Sequence, residues 1–284
     1  MNSTLHNISK ASRQMLYSIH LGKLVRPLLS NAEPKRSLKL DTKILVGTHH
    51  KSGTVWLTSI FRRISNRFNL NLFVANKTES TENFDIFVHE HSEFNFDNIR
   101  FDYKGVHIVR DPRDIIISGC FYHTKSKEEW LHVRRPEFGG LTYQEKINSY
   151  SSINDQIAFE MENSGLKNIS RMRKWNYDNS KFMEIKYENL ISDNDLFLFH
   201  RLFTFLDFPG EEIPSVLRIA YDASIFSGKI KQSNHVRSGK SGQWRKYFSP
   251  SHAARFIELH GDVLIRMGYE NDNSWAEKDS LSQT

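Results

Sequence analysis

The run Gly47-Thr-His-His-Lys-Ser-Gly-Thr-Val-Trp56 gathers one lysine, hydroxyls, two glycines and a pair of histidines between an apolar segment, Ile44-Leu45-Val46, and a helix-like pattern from Trp56 to Phe68. A strand that turns directly into a helix aims several backbone N–H groups at one point. The positive end of the helix dipole adds to their field, and the combination binds phosphate. Lys51 brings a mobile positive charge, Ser52 and Thr54 bring hydroxyl donors, and Gly53 lets the backbone of Thr54 and Val55 approach an anion closely. Nucleotide P-loops place lysine directly after the last glycine. Here Lys51 precedes Gly53, which weighs against a kinase or GTPase.

A second segment, Gly105-Val-His-Ile-Val-Arg-Asp-Pro-Arg-Asp-Ile-Ile-Ile-Ser118, reads as a buried parallel strand followed by a helix that starts at Asp111-Pro112. Arg110 leaves the strand end and Ser118 lies two helical turns on, so one group lying along the helix can touch both. A third, His235 to Phe248, carries His235, Arg237, Lys240, Arg245 and Lys246 among Ser and Gly breakers, the composition of a basic loop over an anion.

These segments, in this order, resemble the PAPS-dependent sulfotransferases (PAPS is 3′-phosphoadenosine 5′-phosphosulfate). Lys-Ser-Gly-Thr-x-Trp is similar to their 5′-phosphosulfate loop, and Arg110 to Ser118 to their 3′-phosphate site. Arg237, Ser238 and Gly239 fall on an Arg-Lys-Gly triplet that closes over the 3′-phosphate, with Ser238 departing from Lys and Gln243 from a following Asp. Tyr187 and Trp56 fall on the positions that touch adenine; core packing is the ordinary alternative for both aromatics. The resemblance spans about Lys43 to Gly268. It implies a P-loop-like α/β domain over 41–270; the N-terminal helix and connector expected over 1–40 and the tail at 271–284 carry no part of it. It also implies PAPS as co-substrate with no metal required, a small-molecule acceptor and a cytoplasmic location. The cofactor set is then Lys51, Ser52, Gly53, Thr54, Val55, Trp56, Arg110, Ser118, Tyr187, Arg237, Ser238 and Gly239.

Sulfuryl transfer to a hydroxyl needs a base, and histidine suits that task near neutral pH. The strand Phe84-Asp-Ile-Phe-Val88 leads into His89-Glu-His-Ser-Glu-Phe94. Aligned on Phe94, the resemblance puts His91 on the catalytic histidine and His89 on a supporting lysine. Strand alternation would give the two one face, leaving His89, Glu90, His49 and His50 as alternatives. Two histidines without an obvious third ligand make a poor zinc site. The resemblance gives Lys51 a second task, stabilising charge on the bridging oxygen as sulfate transfers. Residues His123 to Tyr143 occupy the place of acceptor-covering loops, and their mix of aromatics and cations leaves phenol, hydroxylated metabolite, amine and acidic sugar open. A P-loop phosphotransferase and a non-catalytic polyanion binder are the rival classes.

Strands at 43–47, 71–75, 84–89, 105–109 and 181–187 alternate with helices at 54–68, 112–123, 142–163, 166–177, 193–206, 211–223 and 250–267. That order implies a mostly parallel sheet with helices on both faces and ligand at the carboxyl ends of the strands. The 284 residues carry a net charge of +6, which suits an anionic ligand or nucleic acid, but no zinc-finger, heptad or RNA-binding signature accompanies it. The single Cys120 excludes an intrachain disulfide. No apolar run reaches membrane-spanning length. Residues 1–30 mix basic and apolar positions near helical spacing, compatible with a docking helix, a presequence or a membrane-surface helix.

Overall fold

The computed structural model describes residues 36–75, 83–228 and 240–278. The expected N-terminal helix and the Arg237–Gly239 triplet lie outside them.

Five parallel strands form one sheet: β1 (Lys43–Gly47), β2 (Leu72–Ala75), β3 (Ile86–His89), β4 (Tyr103–Val109) and β5 (Phe182–Lys186), in the order β2-β3-β1-β4-β5. Every pairing is parallel. From β1 the chain goes to the edge strand β2, returns to β3 beside β1, then crosses to β4 on the other side of β1, so the winding reverses around β1. Alternation sorts the side chains of β1: Ile44 and Val46 join a core with Ile86, Val88, Val106 and Ile108, while Leu45 faces an aromatic cluster with Phe87, Phe94, Trp175 and Phe182.

The first face is covered by α1 (Thr54–Phe68), whose Leu57, Ile60, Phe61, Ile64 and Phe68 are buried at helical spacing. Each such side chain contributes about 1.5–3 kcal/mol by leaving water. The helix stops at Asn69, which takes the left-handed conformation and donates its N–H to the Ser65 carbonyl. On the other side of the molecule, α2 (Pro112–His123) is buried along nearly its whole length, including Cys120. Asp111 caps α2 by accepting from the Arg113 N–H, and Pro112 fills the first position.

Two long helices expected from sequence are broken. The expected 142–163 segment becomes α3 (Tyr143–Asn148) and α4 (Ile153–Glu160), then a π-helical turn, Met161–Gly165, that leads into α5 (Leu166–Lys174). Thr142 and Glu145 form a capping box at the first start, and Ser152 caps the second, so two start signals sit where one was read. Farther on, after α6 (Tyr187–Ile191), α7 (Phe197–Phe205), α8 (Ile213–Asp222) and α9 (Trp244–Tyr247), the expected 250–267 helix splits into α10 (Pro250–His260) and α11 (Val263–Arg266). The break falls at Gly261, whose φ of 58° ends the first helix.

Candidate active site

Four of the five strands end at one cavity of about 320 Å³. After β1 come His50, Lys51, Gly53, Thr54, Val55 and Trp56; after β3, Glu90 and His91; after β4, Arg110 and Ser118; after β5, Tyr187. Placing ligand-binding residues at carboxyl strand ends where the strand order reverses is what this topology favours.

The β1–α1 turn is built to expose N–H groups. Gly53, at φ 98°, is the N-cap of α1, and no side chain caps the helix. The first N–H groups of α1 therefore keep no intrahelical acceptor. A Cβ at Gly53 would meet the Tyr187 ring at 3.0 Å, so this position cannot enlarge without moving that ring. The hydroxyls behave differently from expectation. The Ser52 Oγ–H donates to the His49 carbonyl at 2.8 Å and the same oxygen accepts from the His49 N–H, wholly buried. Thr54 Oγ1 lies 2.9 Å from Thr48 Oγ1 and 3.0 Å from the His49 carbonyl. Both hydroxyls brace the loop from within; Thr54 still borders the cavity and Ser52 does not.

Lys51 holds a left-handed backbone, φ 66°, and its Nζ sits 3.4 Å above the centre of the Tyr122 ring. Burial and the neighbouring Arg110 guanidinium push its ammonium down to about 8, against the opposing pull of Glu128 and Glu160. Arg110 donates to the Lys51 carbonyl at 2.9 Å and lies 4.9 Å over the Tyr187 ring. Its buried Nε has no hydrogen-bond partner among the described residues, and neither has the indole N–H of Trp56. Trp56 meets Tyr187 edge-on, with centroids 6.3 Å apart.

The end of the basic segment is tied to α2, the helix that follows Arg110. Asp114 accepts from the Gly242 and Trp244 N–H groups at 2.6 and 2.9 Å, and Arg113 stacks 3.7 Å from the Trp244 ring.

At the β3 exit, the two histidines do not share a face. The strand ends at His89, and Ser92 turns at φ 56° with its hydroxyl bonded to the Thr48 carbonyl. His91 borders the cavity, while His89 is wholly buried and accepts the His91 N–H at 3.2 Å. Burial, then the His91 charge, pushes His89 down to about 4; burial and Arg171 lower His91. Glu90 and Glu128 also line the cavity, and burial raises the Glu90 carboxyl. Glu128 accepts from the Tyr122 hydroxyl (2.9 Å) and the Trp130 indole (2.7 Å). It lies within His123–Tyr143, but no motif singled it out.

Two hydrogen-bonded sets escaped the sequence altogether. His49 Nε2 meets His107 Nε2 at 2.8 Å, and His107 Nδ1 meets Glu184 at 2.7 Å. His50 Nε2 meets His123 Nε2 at 3.0 Å, and His123 Nδ1 meets Glu160 at 2.8 Å. Each joins three distant segments, for which no local periodicity exists.

A family profile for the sulfotransferase domain matches residues 41–268. The chain belongs to that family, the PAPS-dependent sulfotransferases that its motifs resemble. A search of curated proteins finds no match. Among solved structures, a mouse sulfotransferase, SULT7A1, complexed with PAP is 16% identical, covering 87% of this chain and 91% of its own, with a TM-score of 0.47. Retinol dehydratase in complex with androsterone and inactive cofactor PAP is 16% identical over 80% and 82%, TM-score 0.48. The same enzyme with retinol and PAP is 17% identical over 80% and 82%, TM-score 0.45.

Proposed function

We propose that this sulfotransferase moves a sulfuryl group from PAPS to a hydroxyl or amine of a small acceptor, with a histidine on the acceptor side as base. The observation that carries the reading is the convergence of two anion-binding features on one cavity. The uncapped N-terminus of α1 with Lys51 suits the 5′-phosphosulfate, and Arg110 with Ser118 suits a 3′-phosphate. The buried Arg110 Nε and Trp56 Nε1, both unpartnered among the described residues, fit a ligand that accepts hydrogen bonds. Trp56 and Tyr187 offer aromatic surface for a base. Arg237, Ser238 and Gly239, outside the described residues, are proposed to close over the 3′-phosphate; the Asp114 anchor of Gly242 and Trp244 favours this by holding the segment's exit at α2.

In this scheme the acceptor O–H or N–H loses its proton to His91 as its heteroatom bonds to sulfur. The S–O bond to the 5′-phosphate breaks with its electron pair, leaving adenosine 3′,5′-bisphosphate. PAPS supplies an activated sulfuryl group and a stabilised leaving phosphate. Lys51 meets the charge that grows on the bridging oxygen, an interaction stronger in the transition state than before it. We assign His89 support of His91 through the backbone contact, and the protein to the cytoplasm. Calorimetry should find adenosine 3′,5′-bisphosphate bound far better than AMP, and turnover of labelled PAPS over phenol, alcohol, amine and sugar acceptors should proceed without Mg²⁺. Equal affinity for AMP and the bisphosphate would overturn the two-phosphate reading, and a strict Mg²⁺ requirement would favour phosphotransfer.

A further inference from the structure

We propose that His50 is a second catalytic base of the acceptor site, connected through His123 to Glu160, so that a proton taken from the acceptor is passed out of the cavity. The inference rests on the sulfuryl-transfer reading above.

The tautomers follow from the ends of the set inward. A carboxylate only accepts hydrogen bonds. Glu160 Oε2 accepts from the Tyr143 hydroxyl and from His123 Nδ1, each at 2.8 Å. His123 therefore carries its proton on Nδ1 and offers a lone pair at Nε2. His50, 3.0 Å away, must donate from Nε2 to it. That leaves Nδ1 as the lone pair of an imidazole that borders the cavity. The rings of His50 and His123 stack with centroids 5.1 Å apart and planes 10° apart, and the Asn168 amide holds the His50 carbonyl at 2.8 Å. The whole set is fixed: His123 and Glu160 are fully buried or nearly so, and a Cβ at Gly119 would strike Glu160 at 2.5 Å.

His50 is thus a histidine base whose second nitrogen is oriented by a partner, the arrangement that nucleophile-activating bases use. Where the acceptor presents its O–H or N–H to His50 rather than to His91, the proton joins His50 Nδ1 as that bond breaks. The Nε2 proton of His50 moves to His123 Nε2, and the resulting imidazolium lies against Glu160. The acceptor atom bonds to sulfur and the bisphosphate departs with the S–O electron pair. His91 has no such partner: its Nδ1 is buried with none among the described residues.

The test has two arms on the full chain. Nitrogen-15 NMR of histidine-labelled protein, with adenosine 3′,5′-bisphosphate added, should show His50 neutral with its proton on Nε2. Glu160→Gln should redistribute the protons of both His50 and His123, as a merely packed residue would not. His50 found with its proton on Nδ1 in the wild type overturns the proposal. In the second arm, His50→Gln keeps a donor toward His123 but no lone-pair base. Its kcat should fall about a hundredfold or more, with bisphosphate affinity within threefold of wild type, and added imidazole should restore turnover in His50→Gly. A kcat for His50→Gln within threefold of wild type, on protein that still binds bisphosphate, overturns it too. Were the wild type to transfer sulfate to no acceptor class, the sulfotransfer reading and the catalytic role of His50 would both fall, while the NMR arm would still decide the proton arrangement.

Discussion

His49 and His50 are neighbours in sequence with opposite fates. Each meets, Nε2 to Nε2, a histidine on an adjoining element, and each of those is backed by a glutamate. The His49 set crosses the sheet, from the end of β1 to β4 and β5, where His107 and Glu184 are paired across the strands. Trp175 closes it, stacking 4.1 Å from His107 and donating to Glu184 at 2.7 Å. Its far end, His49 Nδ1, is sealed in the core without a partner among the described residues. The His50 set leans instead on α2 and α4 and opens on the cavity. The pair at the β3 exit repeats the contrast, with His89 sealed and His91 open. The same side chain, displaced by one or two residues, is a sealed brace on one side of the loop and opens on the cavity on the other. What separates them is access, not residue type.

The largest effect should come from the β3 pair. His91→Ala is expected to lower kcat by about 10²–10⁴ with bisphosphate binding near normal, and His89→Ala to cost mainly stability. Kinetic penalties in the reverse order would make the sealed residue the reactive one. The open side also requires an anion held beside it. Arg110→Ala should weaken bisphosphate binding about ten- to a hundredfold, since charge-assisted contacts are worth about 1.5–3 kcal/mol each; calorimetry that finds unchanged affinity would move the 3′-phosphate elsewhere. A smaller effect concerns pH. With Lys51 at about 8 in the free protein, its ammonium is intact below that value and lost above it. Anion binding needs the charged form, so bisphosphate affinity should fall as pH rises through 8, by up to about tenfold per unit. Lys51→Ala should flatten that slope. Least of all should Glu184→Gln touch turnover: kcat within threefold, with about 1–3 kcal/mol lost in denaturant titrations. A hundredfold loss of kcat there would erase the distinction between the two sets.

The parts legible in sequence were contiguous. The β1–α1 turn, Arg110 to Ser118 and the parallel sheet all declare themselves within a dozen residues, because a strand, a turn and a helix start are local facts. Strand alternation failed at His89 and His91 because β3 ends between them; Ser92 in the left-handed region was the hidden cause. The inward bond of the Ser52 hydroxyl was hidden for a similar reason: a hydroxyl in a phosphate-type loop can also hold the loop itself. The helices after Asn148 and after His260 were over-extended, although Ser152 and Gly261 offered a start and a stop. His123 and Glu160 were out of reach, since the contacts that give them meaning span 73 residues from His50 to His123 and 37 from His123 to Glu160.

Lys51 holds a backbone conformation that glycine adopts without strain, and its ammonium is largely desolvated. A left-handed non-glycine residue carries roughly 1–3 kcal/mol of strain. Glycine at this position would relieve that strain and remove a buried charge together. A library of variants selected only for survival on heating should therefore enrich Lys51→Gly, and the hardiest survivors would be among the least able to handle an anion. Screening this protein for robustness and screening it for turnover pull residue 51 in opposite directions.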